Sequence, residues 1–254
     1  MTDRLPTVIG SYLSPYVRKV LACLHLKGLA YRIDPIVPFY GNDEFARLSP
    51  LRRVPVLIDG DVVLADSSVI CAYLDERYPD PPLLPQGAAL RARARWFEEY
   101  ADSRLGDTIV WHLYNQVVIR RFVWGEAPDE ALLRQAREVE IPQSLDYLES
   151  ELPAQGTLFD PQHGTLSLAD VALAAFFRNA AFARYSIDAT RWPRSAGFVD
   201  RVLGHPALAT LAPFEVLSLR TPIAQVRDAL AAAGAPISEH SFGSDAPQRG
   251  LFKT

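Results

Sequence analysis

The sequence has few cysteines and no histidine spacing that indicates a metal site. Its 254 residues include two cysteines, Cys23 and Cys71, which lack the CxxC spacing of a dithiol redox motif. Each lies in an apolar helical pattern, so we expect two core residues rather than a disulfide framework. The five histidines show no HExxH or related spacing. The sequence therefore predicts neither a disulfide-stabilised protein nor a metalloprotein.

Excess positive charge and long apolar runs are also missing. The formal net charge is -4 at pH 7, which gives no general attraction to nucleic acid or to anionic lipid. No stretch reaches the roughly 18 apolar residues that span a bilayer. The opening MTDRLPTVIG lacks the basic start and apolar run of a secretory signal. We expect a cytoplasmic protein that binds neither nucleic acid nor membrane.

Strand and helix signals alternate over the first eighty residues. Short β-branched runs predict strands, and apolar residues three and four apart predict helices. The predicted strands are 7–10, 31–37, 54–58 and 62–64, and the predicted helices are 17–28, 43–48 and 69–78. The order β-α-β-α-β-β-α is that of a thioredoxin-like fold.

A proline-rich segment separates this part from a helical one. Four prolines between positions 79 and 85 exclude helix and central strand, so we place the linker at 81–87. Beyond it, helical spacing recurs at 88–122, 129–152, 168–183, 193–203 and 206–217. The fold class is therefore α/β plus all-α: a thioredoxin-like domain at 1–80, a helical bundle at 88–218 and a C-terminal extension at 219–254. The extension has one amphipathic stretch, 223–233, and either wraps the body or is disordered.

One predicted helix start has an unusually clear signal. Ser167 and Asp170 have the spacing of a capping box, in which each side chain accepts a hydrogen bond from the other's backbone amide. We interpret this pair as structural rather than catalytic.

Ser14 stands where the first strand gives way to the first helix. A serine followed by Pro15 is a common helix entry, so a plain N-cap is one interpretation. The same place favours an anion, because a helix N-terminus has unpaired N–H groups and a partial positive charge. A hydroxyl can both accept and donate, so Ser14 can cap the helix and stabilise a bound thiolate.

Two further junctions suit a peptide-like ligand. Proline at 55 leaves the Val54 backbone open to pair with an extended ligand, as an added strand does. After the fourth predicted strand, Ser67 is a plausible N-cap at a helix start that favours carboxylates, and Asp66 beside it suits an ammonium group. A carboxylate-binding group and an ammonium-binding group thus lie side by side. This arrangement suits the head group of an α-amino acid.

Together these residues resemble a known family. The quoted motifs are Ser14-Pro-Tyr-Val-Arg18, Ser49-Pro50 with Val54-Pro55, Asp66-Ser67 with Tyr73-Leu74, Tyr78-Pro79, and Ser167-Leu-Ala-Asp170. They resemble the glutathione transferases, particularly bacterial members and the serine-dependent theta and zeta classes. The resemblance spans about residues 6 to 217 and implies glutathione as co-substrate, without a metal.

The resemblance also implies a role for each site residue. Ser14 hydrogen-bonds the glutathione sulfur, and Val54, before a cis Pro55, pairs with the cysteinyl unit. Asp66 and Ser67 hold the γ-glutamyl ammonium and carboxylate; many relatives have Glu in place of this aspartate.

Three further positions are assigned with alternatives. Arg53, or alternatively Arg52, reaches the glycyl carboxylate, and Tyr12 is a rival hydroxyl donor to the sulfur. Trp111 and Tyr114 are candidates for the substrate pocket of the helical domain, although aromatic residues at such spacing also form cores.

The expected function is a detoxifying, homodimeric glutathione transferase that directs the thiolate at a small electrophile, disulfide or peroxide. The alternatives are a binding or regulatory protein without turnover, and a glutathione-dependent disulfide oxidoreductase. The zeta class has Ser-Ser-Cys where this chain has Ser14-Pro-Tyr16, which disfavours maleylacetoacetate isomerase activity.

Overall fold

The computed structural model describes residues 5–249 and divides into two compact units. The first unit runs to Pro81 and resumes at Pro206, and the second is Pro82–His205. The sequence-based division had instead grouped 206–218 with the helical bundle and set 219–254 apart. Residues 206–249 pack with the thioredoxin-like part, which no local pattern in the sequence indicates.

The first unit is built on a four-stranded sheet. The strands are β1 (Thr7–Ile9), β2 (Arg32–Asp34), β3 (Val56–Asp59) and β4 (Val62–Ala65), in the order β2-β1-β3-β4. β1 pairs with β2 in parallel, whereas the β1–β3 and β3–β4 pairs are antiparallel. The helices are α1 (Pro15–Leu26), α2 (Asp43–Leu48) and α3 (Ser67–Arg77). This arrangement confirms the predicted thioredoxin-like fold.

The second predicted strand is shorter than its sequence pattern indicated. It was predicted at 31–37, but β2 ends at Asp34. Pro35 has no N–H to donate, and the Ile36 N–H turns back to the Asp34 carbonyl at 2.8 Å. The chain therefore leaves the sheet at this point.

The apolar pattern of α1 forms the core of the first unit. The apolar residues at helical spacing in α1 are all fully buried: Val17, Val20, Leu21 and Leu24. Both cysteines are free and fully buried here, and the two sulfurs are 3.6 Å apart. They are core residues on α1 and α3, although closer together than their separation in sequence indicated.

Three helices from the C-terminal part complete the first unit: α9 (Pro206–Ala209), α10 (Ala212–Arg220) and α11 (Ile223–Ala232). The His25 ring nitrogen Nδ1 lies 2.9 Å from the Ala207 carbonyl, which joins α1 to α9. Arg18 of α1 forms an ion pair with Glu215 of α10, and both side chains are almost fully buried. A buried charge requires such a partner, so this pair fixes α10 on α1.

The second unit is helical within the residues described. Its elements are α4 (Ala88–Tyr100), a π-helical segment (Ala101–Trp124), α5 (Glu130–Gln135), a short π-helical segment (Ala136–Glu140), α6 (Ile141–Glu151), α7 (Leu168–Phe182) and α8 (Pro193–Gly204). The predicted helix 88–122 is thus α4 running directly into the first π-helical segment. Ala101, Leu105, Ile109 and Leu113 are fully buried, and their spacing of four residues fits a turn wider than that of an α-helix.

The start of α7 confirms the structural interpretation of Ser167 and Asp170. The Ser167 N–H donates to Asp170 Oδ2 at 2.8 Å, and the Asp170 N–H donates to the Ser167 hydroxyl at 3.4 Å. The Leu158 N–H donates to Asp170 Oδ1 at 2.8 Å, so the buried carboxylate also anchors the preceding loop.

No single helix within residues 5–249 is both long and apolar enough to cross a membrane. The pair Pro193–Gly204 and Pro206–Arg220 meets the criteria of length and composition only when the two helices are taken together.

Candidate functional site

The predicted junctions meet at one end of the sheet. The pairing aligns Ile9 with Val56, and Val56 with Ala65, in one row across the strands. Because β3 runs antiparallel to β1 and β4, the residues after Ile9, before Val56 and after Ala65 all leave the sheet at the same end. Neighbouring strands lie about 4.8 Å apart, so these three segments are close neighbours.

Ser14 is the N-cap of α1, as its sequence context predicted. Its backbone is extended, and its hydroxyl accepts a hydrogen bond from the Val17 N–H at 3.3 Å. Among residues 5–249 the Ser14 hydroxyl has no acceptor, and the side chain is half-buried. The hydroxyl therefore still has a proton to donate, at a helix terminus that favours negative charge.

Tyr12 occupies a different environment from Ser14. Its side chain is 1% exposed, its ring packs on Phe214 with centroids 5.2 Å apart, and its hydroxyl is buried. Burial, followed by the neighbouring Tyr31 phenol, raises the pKa of Tyr12 above its usual range. Burial likewise raises the pKa of Tyr31 to about 12. The Tyr12 hydroxyl is thus a neutral group inside the core, whereas the Ser14 side chain is only half-buried.

Gly10 makes the close approach of these segments possible. It has a φ of +145°, which L side chains rarely adopt, and it lies between α1 and the loop before β3. A Cβ atom there would be 2.5 Å from Val17 Cγ2 and 2.9 Å from Val54 Cβ. Sequence reasoning missed this residue; a glycine at the end of β1 was the available signal.

The Val54–Pro55 peptide bond is cis, as the resemblance implied. Among the described residues, neither the N–H nor the carbonyl of Val54 has a hydrogen-bond partner. The Val54 residue is itself only 9% exposed. Buried backbone groups are nearly always paired, so this opening suits an extended ligand that adds as a short strand.

The loop leading to Val54 is held in place by Ser49. The Ser49 hydroxyl donates to the Arg53 carbonyl at 2.8 Å and accepts from the Arg53 N–H at 3.0 Å. Ser49 is almost fully buried. It belongs to the quoted Ser49-Pro50 motif, but its role as the hydroxyl that closes this loop was not predicted.

The start of α3 corrects one prediction. The N-cap is Asp66, not Ser67: Asp66 Oδ1 accepts from the Ser68 N–H at 2.9 Å and from the Val69 N–H at 3.3 Å. Asp66 has a φ of +84°, an uncommon value for a non-glycine residue. Both residues favour caps, and the turn out of β4 puts the carboxylate rather than the hydroxyl over the helix end.

Ser67 is consequently the first residue of α3. It is 3% exposed, and no described residue hydrogen-bonds its N–H or its hydroxyl. The buried ammonium of Lys19 donates to the hydroxyl of Ser68 at 3.1 Å, which adds positive potential to this first turn. The Ser67 N–H and hydroxyl are therefore two available donors beside a buried cation, an arrangement that suits a bound carboxylate.

The structure distinguishes the two candidate arginines. Arg52 Nη2 donates to the Gly41 carbonyl at 2.6 Å and lies 3.0 Å from Gln248 Oε1. The Arg53 side chain is exposed and has no partner among residues 5–249. Arg53 is therefore available to a ligand, whereas Arg52 is engaged in the unit's own structure.

Trp111 and Tyr114 lie on the π-helical segment of the second unit. Tyr114 is 5% exposed and Trp111 is half-buried. Their role in a substrate pocket stays a prediction. Within residues 5–249 no group of His, Cys, Asp or Glu side chains is arranged to hold a metal ion.

Known proteins resemble this chain over most of its length. Residues 8–82 match the family described as the glutathione S-transferase N-terminal domain. A GST-like protein of Escherichia coli named YibF is 31% identical over 169 residues, which is 66% of this chain and 78% of that one. The chain belongs to the glutathione S-transferase superfamily.

Two further relatives extend the likeness. A wheat (Triticum aestivum) glutathione S-transferase is 28% identical over 221 residues, covering 84% of this chain and 95% of the relative. The crystal structure of a Rhodospirillum rubrum glutathione S-transferase superposes with a TM-score of 0.73 at 26% identity, over 82% of this chain and 91% of that one. The likeness to glutathione S-transferases therefore extends well beyond the thioredoxin-like part.

Proposed function

We propose that this superfamily member is a working glutathione transferase. The observation that carries the proposal is that three junctions at one end of the sheet each leave hydrogen-bonding groups without a partner in residues 5–249. These groups are the Ser14 hydroxyl, the Val54 backbone and the Ser67 donors. A protein that used the fold only as a scaffold would have no reason to keep all three open.

The chemistry of the open groups matches the parts of glutathione in order. The cysteinyl backbone pairs with the N–H and carbonyl of Val54, next to the cis Pro55. The γ-glutamyl carboxylate accepts hydrogen bonds from the Ser67 N–H and hydroxyl. The ammonium of the same γ-glutamyl unit lies against the Asp66 carboxylate. Arg53, the exposed arginine, reaches the glycyl carboxylate.

Ser14 then lies at the cysteinyl sulfur. A thiolate there accepts a hydrogen bond from the Ser14 hydroxyl. The positive end of the α1 dipole also stabilises its negative charge. Both effects favour the charged form, so they lower the pKa of the bound thiol below its ordinary value. The result is a nucleophile at neutral pH, which attacks the electrophilic atom of a small substrate and displaces its leaving group.

The experiment compares Ser14→Ala with Tyr12→Phe in conjugation of glutathione to an aryl halide. Loss of one placed donor lowers turnover by about 10²-fold in Ser14→Ala, and the pH at which the rate reaches half its maximum rises. Tyr12→Phe removes the rival hydroxyl from the core and leaves turnover within about twofold. The reverse pattern assigns the sulfur contact to Tyr12 and contradicts the role of Ser14.

The same assay separates the alternatives. A disulfide oxidoreductase turns over a mixed disulfide of glutathione but conjugates little aryl halide. A binding or regulatory protein binds glutathione or a partner without turnover of halide, disulfide or peroxide.

We also propose a homodimer. Each unit has large apolar side chains exposed, including Leu51 (61%), Val63 (44%) and Val69 (49%) on the first and Leu90 (49%) and Trp96 (51%) on the second. Contiguous exposed apolar patches mark association surfaces, and we assign the dimer contact to these side chains. Sedimentation analysis that gives a monomer at micromolar concentration contradicts this assignment. The cytoplasmic location and a detoxifying role stay predictions.

A further inference from the structure

The C-terminal tail, defined here as residues 233–249, is docked on the first unit through Asp34. This carboxylate is fully buried at the end of β2. It accepts from Arg227 Nη1 at 2.5 Å, the Ser241 hydroxyl at 3.0 Å and the Phe242 N–H at 2.6 Å. A buried carboxylate without such donors is costly, so the tail is an integral part of the unit.

The tail also pairs with the edge of the sheet. Ile237 bridges Ile33 of β2 in parallel. The Ile33 N–H donates to the Pro236 carbonyl at 2.9 Å, and the Ser238 N–H donates to the Ile33 carbonyl at 2.9 Å. The unpaired edge of β2 is thereby covered.

From there the tail follows the segment between β2 and α2. The Asn42 N–H donates to the Phe242 carbonyl at 2.9 Å, and the Ser244 N–H donates to the Tyr40 carbonyl at 2.6 Å. The Gly41 and Gly243 residues form an antiparallel bridge. The segment Phe39–Asn42 is thus held by backbone hydrogen bonds to the tail.

Arg52 connects this segment to the loop 49–55, here called the glutathione loop because it contains Val54. Its guanidinium donates to the Gly41 carbonyl at 2.6 Å, and it also lies 3.0 Å from Gln248 Oε1 of the tail. Arg52 has a φ of +51°, and the next two residues are Arg53 and Val54. A residue in this uncommon conformation persists because its surroundings hold it there.

We propose that the C-terminal tail positions the glutathione loop, with Arg52 as the positioning residue that transmits its effect. Four observations carry this: the Asp34 anchor, the pairing with β2, the backbone bonds to Phe39–Asn42 and the Arg52 contact with Gly41. Asp34 pairs with Ile9 in the sheet register, so the anchor lies at the same end of the sheet as the candidate site. The inference rests on the proposed function, because Val54 matters only if glutathione binds there.

The test measures glutathione affinity by calorimetry in Arg52→Asn and in a chain that ends at His240. Asparagine tolerates a positive φ, so Arg52→Asn removes the guanidinium and keeps the backbone conformation. Each change weakens binding by about three- to tenfold, the effect of losing one or two hydrogen bonds. The combined variant is no weaker than the worse single one, because both act through the same contact. Turnover at saturating glutathione stays within about twofold.

Controls exclude a general loss of structure or charge. Arg47→Ala removes an exposed arginine of α2 with no described partner and leaves affinity unchanged. Arg52→Lys, which can still donate to Gly41, restores part of the affinity. If the shortened chain does not fold, Gln248→Ala replaces it in the comparison of single and combined variants with Arg52→Asn. Gln248→Ala weakens glutathione binding by up to about threefold.

The outcomes separate this inference from the function on which it rests. Unchanged affinity in Arg52→Asn, or effects of Arg52→Asn and the tail variant that multiply, overturns the positioning role alone. A wild-type chain that does not bind glutathione overturns both proposals.

Discussion

At the scale of single residues, the candidate site is marked by unused hydrogen-bonding capacity. Within residues 5–249, the Ser14 hydroxyl hydrogen has no acceptor, and the N–H and carbonyl of Val54 have no hydrogen-bond partner. The same holds for the N–H and hydroxyl of Ser67. The sequence singled out Ser14 and Val54 as open to a ligand, because each lies beside a recognisable strand or helix end, whereas it assigned Ser67 to the N-cap position that Asp66 occupies. It did not predict that Tyr12 would be enclosed, since burial of its ring on Phe214 depends on a helix two hundred residues away.

Ser67 offers a residue-scale test of ligand orientation. Ser67→Ala removes one donor to a carboxylate, and we expect glutathione affinity to fall by about tenfold, the usual effect of losing a charge-assisted hydrogen bond. Calorimetry with glutathione and with an analogue lacking the γ-glutamyl carboxylate measures the effect. The wild type prefers glutathione, and Ser67→Ala loses most of that preference.

Ser150→Ala serves as the matched control for that measurement. Ser150 is exposed on α6, where its hydroxyl donates to the Tyr147 carbonyl, and its loss leaves the preference intact. A Ser67→Ala variant that still prefers glutathione as strongly as the wild type rules out this orientation.

At the scale of elements, local patterns predicted helices and strands well and their ends less well. The limits of α2 agree with the prediction, because Asn42 caps it and the apolar spacing inside it is clear. The N-cap of α3 was predicted one residue late, at Ser67, because Asp66 and Ser67 both favour caps and only the conformation of Asp66 decides between them; the helix itself was predicted from residue 69 and begins at Ser67. The end of β2 was predicted late because the apolar residues 36 and 37 continue the strand pattern beyond Pro35.

Gly10 tests how tightly β1, α1 and the glutathione loop are packed. Gly10→Ala places a Cβ 2.5 Å from Val17 Cγ2 and also forces an unfavourable φ of +145°. Overpacking and backbone strain together cost about 3 kcal/mol of unfolding free energy. Urea denaturation measures this loss.

Gly60→Ala is the control for Gly10→Ala. Gly60 also has a positive φ, +60°, but a Cβ there meets nothing within 4 Å. Strain alone then costs about 1 kcal/mol. Equal losses in the two variants would mean that the close approach at Gly10 contributes nothing.

At the scale of the whole molecule, the sequence predicted two structural parts but not how the C-terminal part is used. The helices that follow Pro206 and the tail join the thioredoxin-like part through long-range contacts, which include the ion pairs of Arg18 with Glu215 and of Asp34 with Arg227. Such pairs have no periodic signature, because charged residues far apart in sequence give no sign of which partner they meet. Family resemblance did not help either, since it ended near residue 217.

The long-range contact of His25 with the Ala207 carbonyl lies at a residue that makes the stability of the molecule depend on pH. Burial lowers the pKa of His25 below its ordinary value of 6.5, although the bond to the Ala207 carbonyl opposes this shift. The folded state therefore disfavours the charged ring. The neutral His25 ring contributes its full stabilisation above about pH 6.5. This stabilisation is lost as the pH falls from that value through the lowered pKa of the folded state.

Denaturation at about pH 7.5 and about pH 5.5 tests this dependence. Burial also lowers the pKa of His205, which acts in the same direction. We therefore expect His25→Gln to reduce, without abolishing, the loss of unfolding free energy on acidification. A loss as large in His25→Gln as in the wild type excludes His25 as a source.

The central claim is that this chain binds glutathione at the end of its sheet, and calorimetric titration of the wild-type protein with glutathione tests it most directly. The account predicts heat that saturates at one glutathione per chain, with a dissociation constant below about 1 mM. Binding is weakened by Ser67→Ala and is unaffected by Ser150→Ala. A titration without heat above dilution, confirmed by the absence of thermal stabilisation by glutathione, would contradict the claim.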